Sequence, residues 1–471
     1  YSAEYKGIKH FKTGTMIPGT ESTNPNSMNM NWVSSSNLMT TLTARYDLNF
    51  GAHAINILAG TSYEHYNYER LYSKRTDFAS DELQDIEQGN NVSKELPDGS
   101  GIVESKMLSY FGRINYSFMD RYLFEANLRA DASSRFHKDK RWGVFPSFSA
   151  GWRISEEEFM ESVDWVTNLK LRASYGTLGN INNVGYYDYF QLLSSSADYN
   201  FSDTPVKGIL EAQIPNKSLS WETVALTDIG FDVDLFNNKL SVTADYYIKN
   251  TSDILLGYNV ARETGIWTTP SMNLAKVRNK GFEMAVTHRN QIGDFSYSVS
   301  ANISTNNNKI ISLAGSDNMI QNGGDLIRYI LKEGESIGAY YGLKTDGLYT
   351  QEEIDAGHFY VYGRLPKAGD IKYLPQRDDI KYYSELTDAE KKSDTSAAAI
   401  NDNDRTIIGK DVPDFTYGLN VNLQYKNFEL SVFGQGVSGT DVAFESEQVF
   451  AFMLNSNPRK YHLNRWTEDN P

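Results

Sequence analysis

The sequence predicts an all-β chain that forms a transmembrane antiparallel β-barrel. Three observations lead to this prediction: segments that alternate apolar and polar side chains, the length of those segments, and a regular exchange of short and long connections. The longer alternations run for about 9 to 13 residues, whereas strands of soluble domains average about 5 to 6. A tilted strand needs about 9 to 11 residues to cross the hydrocarbon region, so strand length favours the membrane.

Seven segments show the two-residue period most clearly. In the last of them, Leu419, Val421 and Leu423 share one face, while Asn420 and Asn422 occupy the other. We expect a dozen or more strands in the whole chain. The seven segments, in order, are residues 38–50, 122–131, 169–175, 228–235, 240–248, 295–303 and 415–425.

Short connections rich in turn-forming residues separate some of the predicted strands, and long stretches separate the others. Outer-membrane barrels have this pattern, with short periplasmic turns and long external loops. We therefore assign residues 1–471 to one partial barrel domain, with 306–412 as a long extracellular loop region that holds a strand pair within 337–348. The short connections are 51–52, 119–121, 236–238, 290–294 and 426–427, and the long ones are 66–105, 180–222, 250–277 and 306–412.

Aromatic residues fit the girdles that such barrels place at both lipid interfaces. Trp142 and Trp152 lie ten positions apart on one parity, as do Phe415 and Tyr425. Ten residues at about 3.3 Å each and a tilt near 40° rise roughly 25 Å, the expected height of the apolar band. These four residues are our predicted girdle.

Composition excludes several other classes of protein. No apolar run approaches the roughly 20 residues of a spanning helix, and a net charge of −15 argues against nucleic acid as a partner. The chain has no Cys, and its 7 His show no metal-binding spacing. We expect that the chain is not an enzyme. No signal peptide is visible, and we expect the chain to begin inside a longer polypeptide.

Charged residues on the polar faces of the strands are candidates for the lining of a lumen, where they could meet substrate or a plug. The favoured alternative is that they hydrate and pair with one another along a polar wall. The candidates are Arg129, Asp131, Lys170, Arg172, Asp232 and Asp234.

Two tyrosine pairs in the long connections, Tyr186-Tyr187 and Tyr340-Tyr341, could stack on sugar rings. Tyrosine is equally typical of membrane interfaces, and we favour that alternative.

Several segments together resemble one family. They are residues 109–116 (SYFGRINY), 122–136 (YLFEANLRADASSRF), 143–153 (GVFPSFSAGWR), 169–176 (LKLRASYG), 279–283 (NKGFE) and 414–420 (DFTYGLN). In this order and spacing the chain resembles, over most of its length, the SusC/RagA group of TonB-dependent outer-membrane transporters of Bacteroidetes.

The resemblance implies a 22-stranded barrel in the bacterial outer membrane, with an N-terminal plug, a TonB box and a SusD-like surface lipoprotein as a lid. It implies import of a glycan or a peptide, with membrane lipid or lipopolysaccharide around the barrel. The plug that meets the TonB complex and the last strands are not in this sequence, so we expect a piece of a longer transporter. The alternatives are a passive porin and a soluble or surface-anchored β-rich carbohydrate-binding protein.

The chain departs from the family pattern between Gly369-Asp370-Ile371-Lys372-Tyr373 and the segment 404–409 (DRTIIG). The intervening stretch is longer than usual and lacks the Asp-x-Asp-Gly spacing of an acidic loop. Asp402 and Asp404 remain weak candidates for a Ca²⁺ site, because Ca²⁺ takes 6 to 8 oxygen ligands and few are arranged here. A solvated acidic loop is the favoured interpretation, and we expect no other cofactor.

Overall fold

The computed structural model describes most of the chain. The described residues are 2–12, 15–16, 23–24, 26–82, 84–92, 101–194, 199–201, 204–206, 208–211, 214–257, 263, 270–314, 319–322, 327–362, 364–391, 399–444, 449–453 and 457–467.

The regular structure is almost entirely β-strand. In chain order the strands are β1 (Ser2–Lys12), β2 (Thr15–Met16), β3 (Thr23–Asn24), β4 (Ser27–Phe50), β5 (His53–Phe78), β6 (Gly89–Val92), β7 (Gly101–Phe118), β8 (Tyr122–Ser133), β9 (Trp142–Arg153), β10 (Val166–Asn180), β11 (Leu193–Ser194), β12 (Tyr199–Phe201), β13 (Thr204–Val206), β14 (Leu210–Glu211), β15 (Glu222–Leu235), β16 (Leu240–Gly257), β17 (Ser271–Ile292), β18 (Phe295–Thr305), β19 (Asn307–Ser312), β20 (Met319–Asn322), β21 (Arg328–Leu331), β22 (Ala339–Gly342), β23 (Thr345–Leu348), β24 (Ile371–Tyr373), β25 (Thr406–Lys410), β26 (Phe415–Tyr425) and β27 (Phe428–Ser438). The helices are α1 (Gln351–Ala356) and α2 (Asp388–Lys391), and 3₁₀ turns cover Ile86–Gln88, Ile154–Glu156, Glu158–Met160, Tyr383–Glu385, Asp402–Asp404 and Lys460–Asn464.

Strand length separates two classes among the described residues. Strands β1, β4, β5, β7 to β10, β15 to β18, β26 and β27 each have 11 residues or more, and every other strand has at most 6. This agrees with the expected dozen or more spanning strands. The length also exceeds what one bilayer crossing requires, since β4 has 24 residues and β5 has 26.

The chain divides into two compact units. The first comprises residues 1–160, 170–227 and 251–274, and the second comprises 161–169, 228–250 and 275–471. In the first unit, strands β1, β4, β5, β7, β8, β9 and β10 follow one another in hydrogen-bonded order, each antiparallel to the next. In the second unit, β17, β18, β26 and β27 do the same. Within each unit, these long strands therefore follow an up-and-down order, in which each pairs with the next long strand of the sequence.

The predicted tight turns are confirmed, and their backbone explains their sequences. Gly51 and Lys426 lie in two-residue links, Met119 and Asp120 in a three-residue link and Asn237 in a four-residue link. All five have positive φ angles, which allow a tight turn to match the twist of its strands. The link predicted at 290–294 is shorter than expected, because β17 continues to Ile292 and leaves only two residues to turn.

Two predictions about the long connections were wrong. Strands extend deep into the stretches 66–105 and 250–277, since β5 runs to Phe78 and β16 runs to Gly257. The strand pair expected within 337–348 does not form: β22 pairs with β21 and β25, while β23 pairs with β24. A two-residue hairpin between β22 and β23 would need positive φ angles at 343 and 344, and neither residue has one.

The apolar faces of the long strands are exposed. Leu42 on β4 is 70% exposed and Leu419 on β26 is 47% exposed, although both belong to the apolar stripe of their strand. A soluble sheet would bury such a stripe against a second layer. The structure therefore argues against the soluble carbohydrate-binding alternative. No helix in the described part of the chain has the length and apolar character needed to cross a bilayer.

Conventional buried clusters lie elsewhere. In the first unit, Phe136, Phe145 and Trp221 pack together with Val184, Leu219 and Leu255. In the second unit, Tyr360, Leu386 and Ala399 form a smaller cluster, and the neighbouring Ile400 is fully buried.

Candidate functional site

A row of rings crosses five strands of the first unit at its short-turn end. Phe50, His53, Phe118, Tyr122 and Trp152 are direct cross-strand partners, one on each of β4, β5, β7, β8 and β9. Ring centroids are 4.9 Å apart for the first pair, 4.8 Å for the second and 6.2 Å for the third. We call this set the turn-end aromatic row, and it contains one residue of the predicted girdle.

The polar tips of this row are held by a carboxylate in the following turn. Glu157 accepts hydrogen bonds from the Tyr122 hydroxyl at 2.7 Å and from Trp152 Nε1 at 2.9 Å, and Arg121 lies 3.4 Å away. These donors, led by Tyr122, lower the pKa of the Glu157 carboxyl below its ordinary value. The rings are thereby fixed with an apolar body on the sheet and a polar end at the turn, which suits a membrane interface.

The other predicted girdle residues also lie on exposed apolar faces. Trp142 stands at the opposite end of β9 from Trp152 and stacks on Tyr110, with 5.9 Å between ring centroids. In the second unit, Phe415 and Tyr425 stand at the two ends of β26.

The charged candidates Arg129 and Asp131 lie on the opposite, polar face of β8. Arg129 Nε donates to Asp131 at 2.9 Å and its Nη2 donates to the Ser109 hydroxyl at 2.9 Å, while its guanidinium lies over the Phe111 ring at 5.6 Å. Asp131 is nearly buried, and its Oδ1 has no hydrogen-bond partner in the structure. We call this hydrogen-bonded polar face of the strands the polar wall.

The remaining charged candidates follow the same pattern. Asp232 accepts from the Thr243 hydroxyl at 3.1 Å, and Asp234 accepts from the Asn168 amide at 3.1 Å. Lys170 and Arg172 are partly buried on β10. The structure thus brings Arg129 and Asp131 together.

The first tyrosine pair is held by an arginine from a neighbouring loop. The Arg135 guanidinium lies 4.1 Å from the centre of the Tyr186 ring, and its Nη1 donates to the carbonyls of Val184 at 3.1 Å and Ile181 at 3.4 Å. One face of Tyr186 is therefore covered. Tyr187 is more open, with its hydroxyl accepting a bond from the Glu104 backbone N–H at 3.3 Å.

The second tyrosine pair lies in strand β22. Tyr340 packs against Tyr329 with 5.1 Å between ring centroids, and its hydroxyl donates to the Asp441 carbonyl at 3.4 Å. Tyr341 is paired with Ile407 of β25 and is partly buried.

Asp404 is a buried anchor in the 306–412 region. It is fully buried and accepts from Arg377 Nη2 at 2.9 Å and from the backbone N–H groups of Asn401 at 3.0 Å and Gln376 at 3.1 Å. Burial alone would raise the pKa of Asp404, but these donors hold it below its ordinary value. Sequence analysis missed Arg377, because it is 27 residues away and in no recognisable motif.

Asp402, the other Ca²⁺ candidate, faces a different set of donors. Its Oδ1 accepts from the Tyr362 hydroxyl at 2.6 Å and from Arg405 Nε at 2.8 Å. The carboxylates of Asp402 and Asp404 thus already accept hydrogen bonds from groups of the protein. Among the described residues, no group of three or more His, Asp or Glu is placed to hold a metal ion.

The Gly369–Tyr373 segment organises the neighbouring part of this region. Lys372 donates to Glu353 at 2.8 Å and lies 3.0 Å from Asp346, and these two carboxylates raise its pKa. Gly369 has a φ angle of +88°, and a Cβ there would lie 2.3 Å from the Trp466 ring, so only glycine fits.

The long strands have an exposed apolar face and a hydrogen-bonded polar face, and the chain matches a known family. Residues 3–457 match the family described as TonB-dependent receptor-like, β-barrel. The chain belongs to this family. It is therefore an all-β outer-membrane barrel protein, as the sequence predicted.

Individual relatives agree with this assignment. TonB-dependent receptor P3 of Formosa agariphila is 30% identical over 94% of this chain and 42% of its own length. TonB-dependent receptor SusC of Bacteroides thetaiotaomicron is 28% identical over 84% of this chain and 37% of its own length. The chain thus spans less than half the length of these curated TonB-dependent receptors.

Among solved structures, a chain of the RagAB peptide transporter superposes with a TM-score of 0.77 at 22% identity, covering 99% of this chain and 48% of that one. At this identity the likeness shows the fold of the TonB-dependent receptor barrel. The predicted resemblance to the SusC/RagA group is confirmed.

Proposed function

We propose that this chain is the barrel part of a TonB-dependent importer that carries a glycan or peptide nutrient across the outer membrane. The observation that carries the proposal is the family match over residues 3–457, in a chain whose apolar strand faces are exposed. Import then involves passage along the polar wall, with energy delivered through a plug outside these residues. No chemical step on the nutrient is required, so we propose no enzymatic activity.

The polar wall has the character of a translocation surface. Arg129 and Asp131 neutralise each other at 2.9 Å, so this part of the wall offers hydrogen-bonding groups without a single-sign field. A neutral, hydroxyl-rich or amide-rich nutrient suits such a wall better than a highly charged one. Lys170, Arg172, Asp232 and Asp234 extend this proposed lining.

The outer loops supply the proposed ligand contacts. Tyr187 is the strongest of the four tyrosine candidates, because its ring is partly open while that of Tyr186 is covered on one face by Arg135. Tyr340 and Tyr341 are held within the 306–412 region and would act as rigid contacts. A SusD-like lipoprotein would close over these loops, as the resemblance to the SusC group implies.

Growth of the source bacterium on defined nutrients tests the proposal. A strain lacking the full-length receptor should fail to grow on one oligosaccharide or oligopeptide of a panel, and the intact gene should restore growth. Restoration should disappear when TonB is deleted or a protonophore is added. Uptake that persists without TonB would instead support the passive porin.

The lid is tested separately. Affinity purification of the full-length receptor from native membranes should bring down a surface lipoprotein in equal amount. Recovery of the receptor without any lipoprotein, under conditions that preserve uptake, would reject that part of the proposal.

A further inference from the structure

Two long connections of the second unit, 306–412 and 439–467, start from the same end of its strands. Thr305, Phe415 and Ser438, which stand at this end of β18, β26 and β27, are direct cross-strand partners. The two-residue turn at 426–427 lies at the other end of β26 and β27. In barrels of this kind the end with the long connections faces outside, so both connections belong to the outer side.

A cavity of about 860 Å³ lies between these two connections. The first connection supplies most of the lining: Ile354 and Pro366 are apolar, whereas Thr350, Gln351 and Lys367 carry hydroxyl, amide and ammonium groups. The second connection supplies Trp466. The cavity is as large as most small-molecule sites, and it has their combination of an apolar surface with a few polar groups.

Trp466 rests on one wall of the cavity through the face of its indole. A Cβ built at Gly369 would lie 2.3 Å from Cε3, 2.4 Å from Cδ2 and 2.8 Å from Cζ3 of the indole. A point this close to three consecutive ring atoms stands above the ring, so one face of the indole lies against the Gly369 backbone. The side chain also lines the cavity and is only partly buried, which leaves part of its surface open to a ligand.

Backbone hydrogen bonds fix the wall beside Trp466. The Gly369 N–H donates to the Tyr349 carbonyl at 2.8 Å, and the Tyr349 N–H donates to the Asp370 carbonyl at 2.9 Å. The Lys367 N–H donates to the Asp370 carboxylate at 2.8 Å. The cavity is thus preformed, and a ligand that enters it does not have to order this wall first.

We propose that this cavity binds a pyranose ring of a glycan, stacked on Trp466. A pyranose has weakly positive C–H groups on its flat face and hydroxyls around its rim. The negative face of an aromatic ring attracts the C–H groups. Thr350, Gln351 and Lys367 offer donors and acceptors to the hydroxyls. The inference rests on the proposed import of a nutrient, and it selects a glycan as that nutrient.

A short oligopeptide matches the lining less well. Its terminal ammonium needs a carboxylate, and the described lining residues include none. Lys367 would instead repel that terminus. A neutral sugar meets no such penalty.

Two variants remove the site in different ways. Trp466→Ala takes away the stacking surface. Ala368→Phe keeps the indole and fills the cavity, because Ala368 lines it and is partly exposed. Tyr461→Ala is the matched control, since Tyr461 is an exposed aromatic residue of the same connection as Trp466 and does not line this cavity.

Isothermal titration calorimetry of the full-length receptor in detergent measures binding of the probes. These are neutral hexasaccharides of glucose, mannose, galactose and xylose, and a hexapeptide with uncharged side chains. At least one hexasaccharide should bind. Trp466→Ala and Ala368→Phe should each weaken its binding about tenfold or more, and Tyr461→Ala should change it less than twofold. Heat-modifiable gel migration confirms that each variant is folded.

Unchanged sugar affinity in the folded Trp466→Ala and Ala368→Phe variants would overturn the proposal. So would a panel in which no hexasaccharide binds, or in which only the hexapeptide binds. The import proposal fails differently: sugar binding that depends on Trp466, combined with uptake that does not need TonB, would leave this site in place and reject active import.

Discussion

Strand β26 and the 306–412 region place their apolar side chains in opposite environments. On β26, Tyr417 and Leu419 are about half exposed, whereas in the loop region Ile400 is fully buried and Tyr360 and Leu386 nearly so. The loop region folds as soluble proteins do, by removing apolar surface from water. The strand leaves its apolar stripe outside, which is stable only where hydrocarbon covers it. The 306–412 region is therefore stabilised by burying apolar side chains away from water, whereas the spanning strands are stabilised by placing them in lipid.

The largest expected effect is on the loop region. Asp404→Asn should destabilise it by about 3–5 kcal/mol, because Arg377 would lose its buried countercharge. Hydrogen exchange should show faster exchange around residues 399–410 with the strands of the sheet unchanged.

Asp379→Asn is the control, since Asp379 also contacts Arg377, at 3.3 Å, but its side chain is 61% exposed. It should cost less than about 1 kcal/mol. If both variants behave alike, Asp404 is not the anchor of this region.

Acidification should weaken the interaction between Asp404 and its donors. Because the folded pKa of Asp404 is below its ordinary value, ionised Asp404 contributes stability that is present above about pH 4, and that stability is lost as pH falls through the lower folded pKa. Protection factors around residues 399–410, in which the intrinsic pH dependence of exchange is divided out, should therefore fall on acidification below pH 4 and stay constant between pH 5 and 7. Asp404→Asn should abolish this acid response, and a response that persists in the variant would assign it to another group.

The next largest expected loss of stability concerns the lipid-facing stripe of β26. Leu419→Arg should cost about 2–4 kcal/mol in folding into lipid bilayers, because it places a charge on the hydrocarbon side. Asn420→Arg, one residue further on the polar face, should cost less than about 1 kcal/mol. Urea titration of the full-length protein in vesicles measures both, and equal losses would contradict the assignment of faces.

The smallest effect concerns the turn-end aromatic row. Glu157→Ala removes the acceptor shared by Tyr122 and Trp152 and should cost about 1–2 kcal/mol. Glu156→Ala is the control, because Glu156 forms an ion pair with Arg153 at the surface and its side chain is 46% exposed. Urea titration should separate the two, and no difference would mean that the bonds to the ring tips add nothing.

Sequence predicted the spanning strands wherever the alternation is local and clean. On β26 every second residue is apolar, so the strand and its exposed face could be inferred without a partner. On β5 the alternation is blurred, because Leu58 and Gly60 occupy the polar parity, and the strand continues well beyond the end at residue 65 that the sequence predicts. Turns were predictable because positive φ angles favour a few residue types.

The site was less predictable, because its contacts join residues far apart in sequence. The turn-end aromatic row depends on the register of five strands, and the Asp404–Arg377 pair spans 27 residues. A sequence shows residue types and spacing, whereas register follows from all the strand pairings together.

The central claim is that the apolar stripe of the long strands faces lipid, and single-cysteine labelling of β26 tests it most directly. The chain has no Cys, so single cysteines introduced at positions 417 to 423 have no competing thiol within it. With any cysteine elsewhere in the full-length protein replaced, nitroxide labels in vesicles report each site separately. The account predicts that labels at 417, 419, 421 and 423 collide with dissolved oxygen and those at 418, 420 and 422 with a water-soluble nickel chelate. Labels that show no alternation, or that are all shielded from both reagents, would contradict it.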